Sequence, residues 1–162
     1  MPHSPRFDRR RLLQFSTAAA SGLALSRFAH GAGSDRLKVG LIGCGGRGRG
    51  AAEDLLSAGG DSIQLVALGD VFEDRATGAR TYLAERFQAA GRAGSFDVPA
   101  ERCFHGFGAA AAVLDSDLDL VLLATPPHFR PGQLEAAVAR GLHVFLEKPV
   151  AVDAPGVRQV LA

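Results

Sequence analysis

Only two cysteines, Cys44 and Cys103, occur among the 162 residues. Two thiols cannot staple a disulfide scaffold, and their spacing fits no zinc pattern. They read as two small buried hydrophobes; a disulfide between them is open only in an oxidising compartment. Net charge is also scarce, at +1. Nothing at the level of the whole chain points to a nucleic-acid partner. There is no internal repeat, and no low-complexity segment beyond the N-terminus. With 47% hydrophobic and 22% charged residues, the composition is that of an ordinary globular protein. The length fits one domain, or one and a fraction.

What is present is unevenly placed. Five of the 18 basic residues (Arg6, Arg9, Arg10, Arg11, Arg27) and one acid, Asp8, fall within residues 1–32. The remainder is mildly acidic, which argues against polyanionic partners. Asp8-Arg9-Arg10-Arg11-Leu12-Leu13-Gln14 resembles a twin-arginine export signal, with Arg9 and Arg10 as the pair and Leu12 and Leu13 in its hydrophobic positions. A weakly apolar stretch from Phe15 to Phe28 follows, too short and too polar to span a bilayer as a helix. Small residues at 29–32 offer a cleavage site. Residues 1–32 are therefore expected to be a signal peptide, read by the twin-arginine export machinery, that takes the protein to the periplasm or otherwise out of the cytoplasm. The competing reading is an amphipathic N-terminal helix on a cytosolic protein.

From residue 35 onward, strand and helix signals alternate. Leu37–Ile42 is a short apolar run ending in glycines, the pattern of a buried parallel strand. A helix is expected from about Arg47 to Ala58, closed by Gly59-Gly60. The second strand runs from Ile63 to Leu68 and ends at Gly69-Asp70, followed by a helix over Glu73–Ala90. Cys103-Phe104 reads as a short strand and Ala109–Leu114 as a short helix. Leu118–Ala124 is a strongly apolar strand that Pro126-Pro127 breaks. A helix over Gln133–Arg140, closed by Gly141, precedes a strand at His143–Leu146. A last helix starts near Asp153, its cap, with Pro155 in the first turn. This alternation predicts an α/β fold with a Rossmann-type, doubly wound parallel sheet over residues 35–162.

Gly43-Cys44-Gly45-Gly46-Arg47-Gly48 fits G-x-G-x-x-G directly after a strand and at the opening of a helix. In that context Gly43 permits the tight turn, Gly45 lets a pyrophosphate approach the backbone, and Gly48 lets helix and sheet pack closely. Free N–H groups at the helix start would meet the phosphates, and Arg47 could pair with them. Asp70 lies 22 residues past Gly48 at the end of the second strand, near the expected spacing of about 20. A carboxylate there binds ribose hydroxyls and repels a 2′-phosphate, so the expected cofactor is NAD, with NADP possible. Arg75 and Arg80 are near enough in sequence to serve such a phosphate.

Three segments then combine: Val39–Gly48; Ala124-Thr125-Pro126-Pro127-His128; and Gly141-Leu142-His143-Val144-Phe145-Leu146-Glu147-Lys148-Pro149. Together they resemble the Gfo/Idh/MocA family, the relatives of glucose–fructose oxidoreductase and inositol dehydrogenase. The resemblance covers residues 37–162. It implies that Lys148 sits beside nicotinamide and substrate and assists proton transfer, and that Glu147 helps to bind the nicotinamide-side ribose. It also implies a cis peptide before Pro149. Thr125-Pro126 would pass near the same ribose. Relatives commonly carry T-P-N-x-x-H, where this chain has Pro127 for the Asn and Arg130 for the His; His128 is the candidate to take over part of that role.

The resemblance further implies what would follow: another strand, then a C-terminal α/β substrate domain with acid–base groups and oligomer contacts. The sequence stops before them, so truncation is expected, and with it an exposed apolar sheet edge and marginal stability. Homo-oligomers are expected only of a longer protein. The leading functional expectation is hydride transfer between the cofactor and a sugar, polyol or derivative. An NAD-dependent glycoside hydrolase of the same superfamily and a non-catalytic cofactor-binding fragment are the alternatives.

Overall fold

A computed structural model describes residues 36–162; the expected leader, residues 1–32, lies outside the described residues. Five parallel strands form one sheet: β1 (Leu37–Ile42), β2 (Ile63–Asp70), β3 (Cys103–His105), β4 (Leu120–Leu123) and β5 (His143–Leu146). Their spatial order is β3-β2-β1-β4-β5. The chain therefore builds outward from β1 in one direction, returns, and builds outward in the other. The helices are α1 (Gly46–Gly59), α2 (Glu73–Ala89), α3 (Ala109–Leu114), α4 (Arg130–Val138) and α5 (Ala154–Leu161).

The strands read as near-continuous apolar runs because both sheet faces are covered. Val39 and Leu41 turn to one face, where Ala51, Leu56, Ala76, Leu83 and Phe87 of α1 and α2 close over them. Ile42, Val121 and Leu123 turn to the other face, against Val113, Leu114 and Ala137 of α3 and α4. The alternation slips once. Val39 pairs with Leu65 but Gly40 pairs with Ala67, a bulge that leaves one extra residue on β2. Val66 and Ala67 consequently both face the α3–α4 side, while Leu65 and Leu68 face the other.

Two element starts differ from expectation by more than one residue. α4 starts at Arg130, before the expected Gln133, because Pro131 fits a helix's first turn. β4 starts at Leu120, after the expected Leu118, because the Asp119 carboxylate accepts the Lys38 amide at 2.8 Å and occupies the approach to the strand. The α5 cap is as read: Asp153 Oδ1 accepts the Gly156 amide at 2.8 Å. Both cysteines are free, Cys44 buried and Cys103 half-buried. β5 is an edge strand, and its Phe145 is 46% exposed. Among the described residues no helix is long and apolar enough to cross a membrane, and no cluster of side chains could hold a metal ion.

Candidate functional site

The order of strands fixes where a site can form. The chain changes direction between β1 and β4, and the loops leaving their carboxyl ends part there. A cleft of about 590 Å³ opens at that point, lined among others by Gly45, Asp70, Arg75, Phe107, Thr125 and Arg130.

The glycines beside it have two different causes. Gly43 has φ +95°, and a Cβ there would lie 2.7 Å from the Ala124 carbonyl carbon and the Thr125 nitrogen. A Cβ at Gly48 would lie 1.8 Å from the Gly43 carbonyl oxygen. The protein's own packing demands both. At Gly45 and Gly46 a Cβ would meet nothing within 4 Å. Gly45 also has an extended backbone, φ −67° and ψ −176°, that any residue can adopt. Nothing inside the protein explains a missing side chain at either position.

That open space lies at the N-terminus of α1. No side chain caps the helix, and no acid stands in its first turn. Its first amides and its dipole therefore present a positive, donor-rich surface to the cleft, suited to an anion. Asp70 stands alongside. Its Oδ2 accepts the Cys44 amide at 2.7 Å and its Oδ1 the Phe72 amide at 3.0 Å, so the carboxylate also braces the glycine loop against the end of β2. Arg75 stacks its guanidinium over Phe72 at 4.8 Å and lines the cleft. Arg80 is turned away, with Nε donating to the Val98 carbonyl at 2.7 Å. The Cys44 thiol is buried and donates to the Gly69 carbonyl at 3.4 Å; burial pushes its pKa far up, so it is an inert filler.

At the other end of the cleft, the strand ends of β4 and β5 meet the glycine loop. Glu147 follows β5 and is 3% exposed. Its Oε1 accepts Arg47 Nε at 2.7 Å and Nη2 at 2.6 Å. The Arg47 hydrogen bond is the main reason that the Glu147 carboxyl lies below its ordinary pKa, with burial opposing. Arg47, expected at a phosphate, thus spans from the first crossover to the last strand. Thr125 donates its hydroxyl to the Gln133 side-chain oxygen at 2.6 Å. Pro126 lines the cleft. Lys148 is exposed, and the Lys148–Pro149 peptide is cis, as the motif implies.

His128 is not brought into this arrangement. It is exposed, packs edge-on against Phe129 with centroids 5.2 Å apart, and does not line the cleft. Glu147 and Lys148 flank the cleft rather than line it. The residue that sequence reasoning passed over is Arg130, buried at the start of α4 with three backbone carbonyls around it. Its signal was its position, in the place of the motif's His.

Residues 37–162 match the model of the Gfo/Idh/MocA group, described as an oxidoreductase family with an NAD-binding Rossmann fold. The chain belongs to this family. It is accordingly an NAD(P)-binding Rossmann domain of the oxidoreductase kind. A similar curated relative is glycosyl hydrolase family 109 protein 1 of Bacteroides fragilis (strain YCH46), 34% identical over 120 residues, covering 73% of this chain and 23% of that protein. Another is the glycosyl hydrolase family 109 protein of Solibacter usitatus (strain Ellin6076), 29% identical over 153 residues, covering 89% of this chain and 33% of that protein. The chain thus spans about a quarter to a third of the length of these relatives. Among solved structures, an NAD-binding oxidoreductase from Klebsiella pneumoniae superposes with a TM-score of 0.54 at 25% identity, covering 79% of this chain and 31% of that one. A 3-ketoreductase from Actinomadura kijaniata, solved with NADP, superposes with a TM-score of 0.55 at 24% identity, covering 78% and 34%; it shares the fold.

Proposed function

We propose that the Gfo/Idh/MocA domain lays a nicotinamide dinucleotide along the carboxyl edge of its sheet, and that it serves hydride transfer to or from a sugar, polyol or derivative. One observation carries the reading: Gly45 and Gly46 leave a gap at the α1 N-terminus that the protein's own packing does not require. A pyrophosphate suits that gap, since it calls for close approach to the backbone and for free amides at an uncapped helix start. Asp70 offers its remaining lone pairs to the adenosine ribose and repels a 2′-phosphate, which favours NAD; Arg75, in the same cleft, is the residue through which NADP would be tolerated. Thr125 and Pro126 border the nicotinamide half. The bound cofactor supplies the hydride chemistry. Lys148 hydrogen-bonds the reacting hydroxyl or carbonyl oxygen and moves its proton. Glu147, anchored by Arg47, keeps a carboxylate beside the nicotinamide-side ribose.

The names of the Bacteroides and Solibacter relatives favour a second reading. In it the protein of which this domain is part cleaves a glycosidic bond and regenerates its cofactor, with no net redox change. Calorimetric titration with NAD tests the shared part, with saturable binding expected; no heat at millimolar NAD overturns both readings. Sugars and aryl glycosides then separate them. NADH accumulation with a free sugar or polyol supports hydride transfer, and aryl-glycoside cleavage without NADH supports the hydrolase.

Residues 1–32 fit this as an export leader, since a folded domain would carry its cofactor out with it. Replacing Arg9 and Arg10 by lysine is expected to leave the protein in the cytoplasmic fraction; unchanged export removes the twin-arginine reading.

A further inference from the structure

Arg130 does nothing in the scheme above, yet its placement is costly. It is 5% exposed, and burial pulls its pKa down, while an arginine keeps its charge inside proteins. A buried cation is tolerated only where hydrogen bonds replace its water. Here the replacements are all backbone carbonyls. Nε donates to Thr125 at 2.7 Å, and Nη1 donates to Glu147 at 2.5 Å and to Pro149 at 2.6 Å. The two carbonyls on Nη1 bracket the Lys148–Pro149 dipeptide, so one nitrogen closes a ring across it. On the near side, the Lys148 amide donates to Glu147 Oε2 at 3.2 Å. The backbone at Lys148 is thereby held from both directions, while its side chain stays exposed. The same guanidinium ties this segment to the Thr125 loop and lines the cleft. An apolar side chain would fill the turn without the desolvation cost, so packing alone does not call for an arginine.

We propose that Arg130 is a positioning residue for Lys148: by gripping the carbonyls of Glu147 and Pro149 it fixes the direction in which the Lys148 ammonium reaches toward the nicotinamide end of the cleft. This rests on the reading of Lys148 given above. It assigns Arg130 no contact with the reacting atoms. A displacement of the lysine by an ångström is enough to uncouple it from a bound ligand.

The sequence makes a clean test available, because Lys38 and Lys148 are its two lysines. Lys38 pairs with Asp117 near the start of β1, at the opposite sheet edge, and serves as internal control. The full chain and its Arg130→Met variant are reductively methylated with and without saturating NAD. Modification is followed peptide by peptide by mass spectrometry, and NAD affinity is measured separately by calorimetry. In the wild type, NAD is expected to slow Lys148 labelling about tenfold, because the bound nicotinamide end would cover the side of the lysine amine that faces the cleft, with Lys38 unchanged. Arg130→Met is expected to bind NAD nearly as well, since the glycine loop is intact, but to lose most of that protection. If the methionine variant does not fold, Arg130→Gln carries the same comparison with the same expectation, because its amide nitrogen falls where Nε was, able to keep the Thr125 bond but too short to reach the Glu147 and Pro149 carbonyls. Undiminished protection in the variant that folds overturns the positioning role. Lys148 unprotected in a wild type that does bind NAD overturns the placement of Lys148, and the proposal with it. A wild type that binds no NAD overturns the cofactor reading itself, so the failures are distinguishable.

Discussion

At one end of the cleft, room is made by leaving side chains out; at the other, loops are held by putting a buried cation in. The glycine-loop end is built from backbone: φ +95° at Gly43, a helix without a cap, and the Asp70 carboxylate on two amides. The end formed by Thr125, Glu147 and Lys148 is built from long side chains, with Arg130 on three carbonyls and Arg47 on Glu147. The first end draws only on backbone and one carboxylate at neighbouring strand ends, the Ala124–Thr125 backbone after β4 and Asp70 of β2. The second exists only once residues far apart in the chain have met. The contrast separates what binds a common ligand group from what orients a particular chemistry: phosphate recognition is a local backbone property, while the placement of a reactive lysine depends on tertiary contacts.

The contrast can be broken where it is sharpest. Gly45→Val puts a branched side chain into the gap, so NAD affinity is expected to fall at least about 100-fold by calorimetry. Thermal stability should fall by no more than about 1 kcal/mol, the preference of an N-cap for Gly over Val, because no protein atom lies within 4 Å of the new Cβ. A loss well beyond that would mean the gap belongs to the protein after all. Gly48→Ala should do the reverse. Its Cβ falls 1.8 Å from the Gly43 oxygen, so a loss of about 3 kcal/mol in denaturant unfolding is expected, the upper part of the range for overpacking. Unchanged stability would refute the close approach of helix and loop.

Asp70→Asn sits between these extremes. One of its two amide contacts must be lost, at about 1 kcal/mol. Removing the charge should narrow the preference for NAD over NADP about tenfold, and an unaltered ratio of the two affinities would remove Asp70 from the ribose role. The smallest effect is expected of Arg47→Ala, and it is a change of pH profile. Glu147 is held below its ordinary pKa in the fold, so the pair contributes stability above about pH 4.3, the unfolded value for Glu. That contribution is lost as the pH falls through the lower folded pKa. Melting temperatures measured from pH 7 down to 3 should therefore fall more steeply in the wild type than in the variant; parallel curves would show that the ion pair does not hold the carboxyl.

The same division governs what could be read from the sequence. β1, the glycine loop and Asp70 are legible in the sequence because strand, turn and helix follow one another within one crossover. The parallel sheet follows from the alternation of elements. The bulge between Val39 and Gly40 did not, since apolar runs buried on both faces hide a change of register. The neighbours of Arg47 in sequence point it toward a phosphate; its partner Glu147 is 100 residues away. Arg80 was likewise near the cleft in sequence but turned to Val98. His128 drew the role of the missing motif histidine because imidazole resembles imidazole. The turn instead buries the position that is in register, and Arg130 occupies it.

The Arg47–Glu147 bridge also has a meaning in time. A ribosome delivers the glycine loop early and Glu147 a hundred residues later. Until β5 has been laid against β4, the arginine has no carboxylate to answer it, and the loop that cradles the gap lacks its far anchor. Pairing of β5 with β4 is thus the event that gives the nascent glycine loop its far anchor.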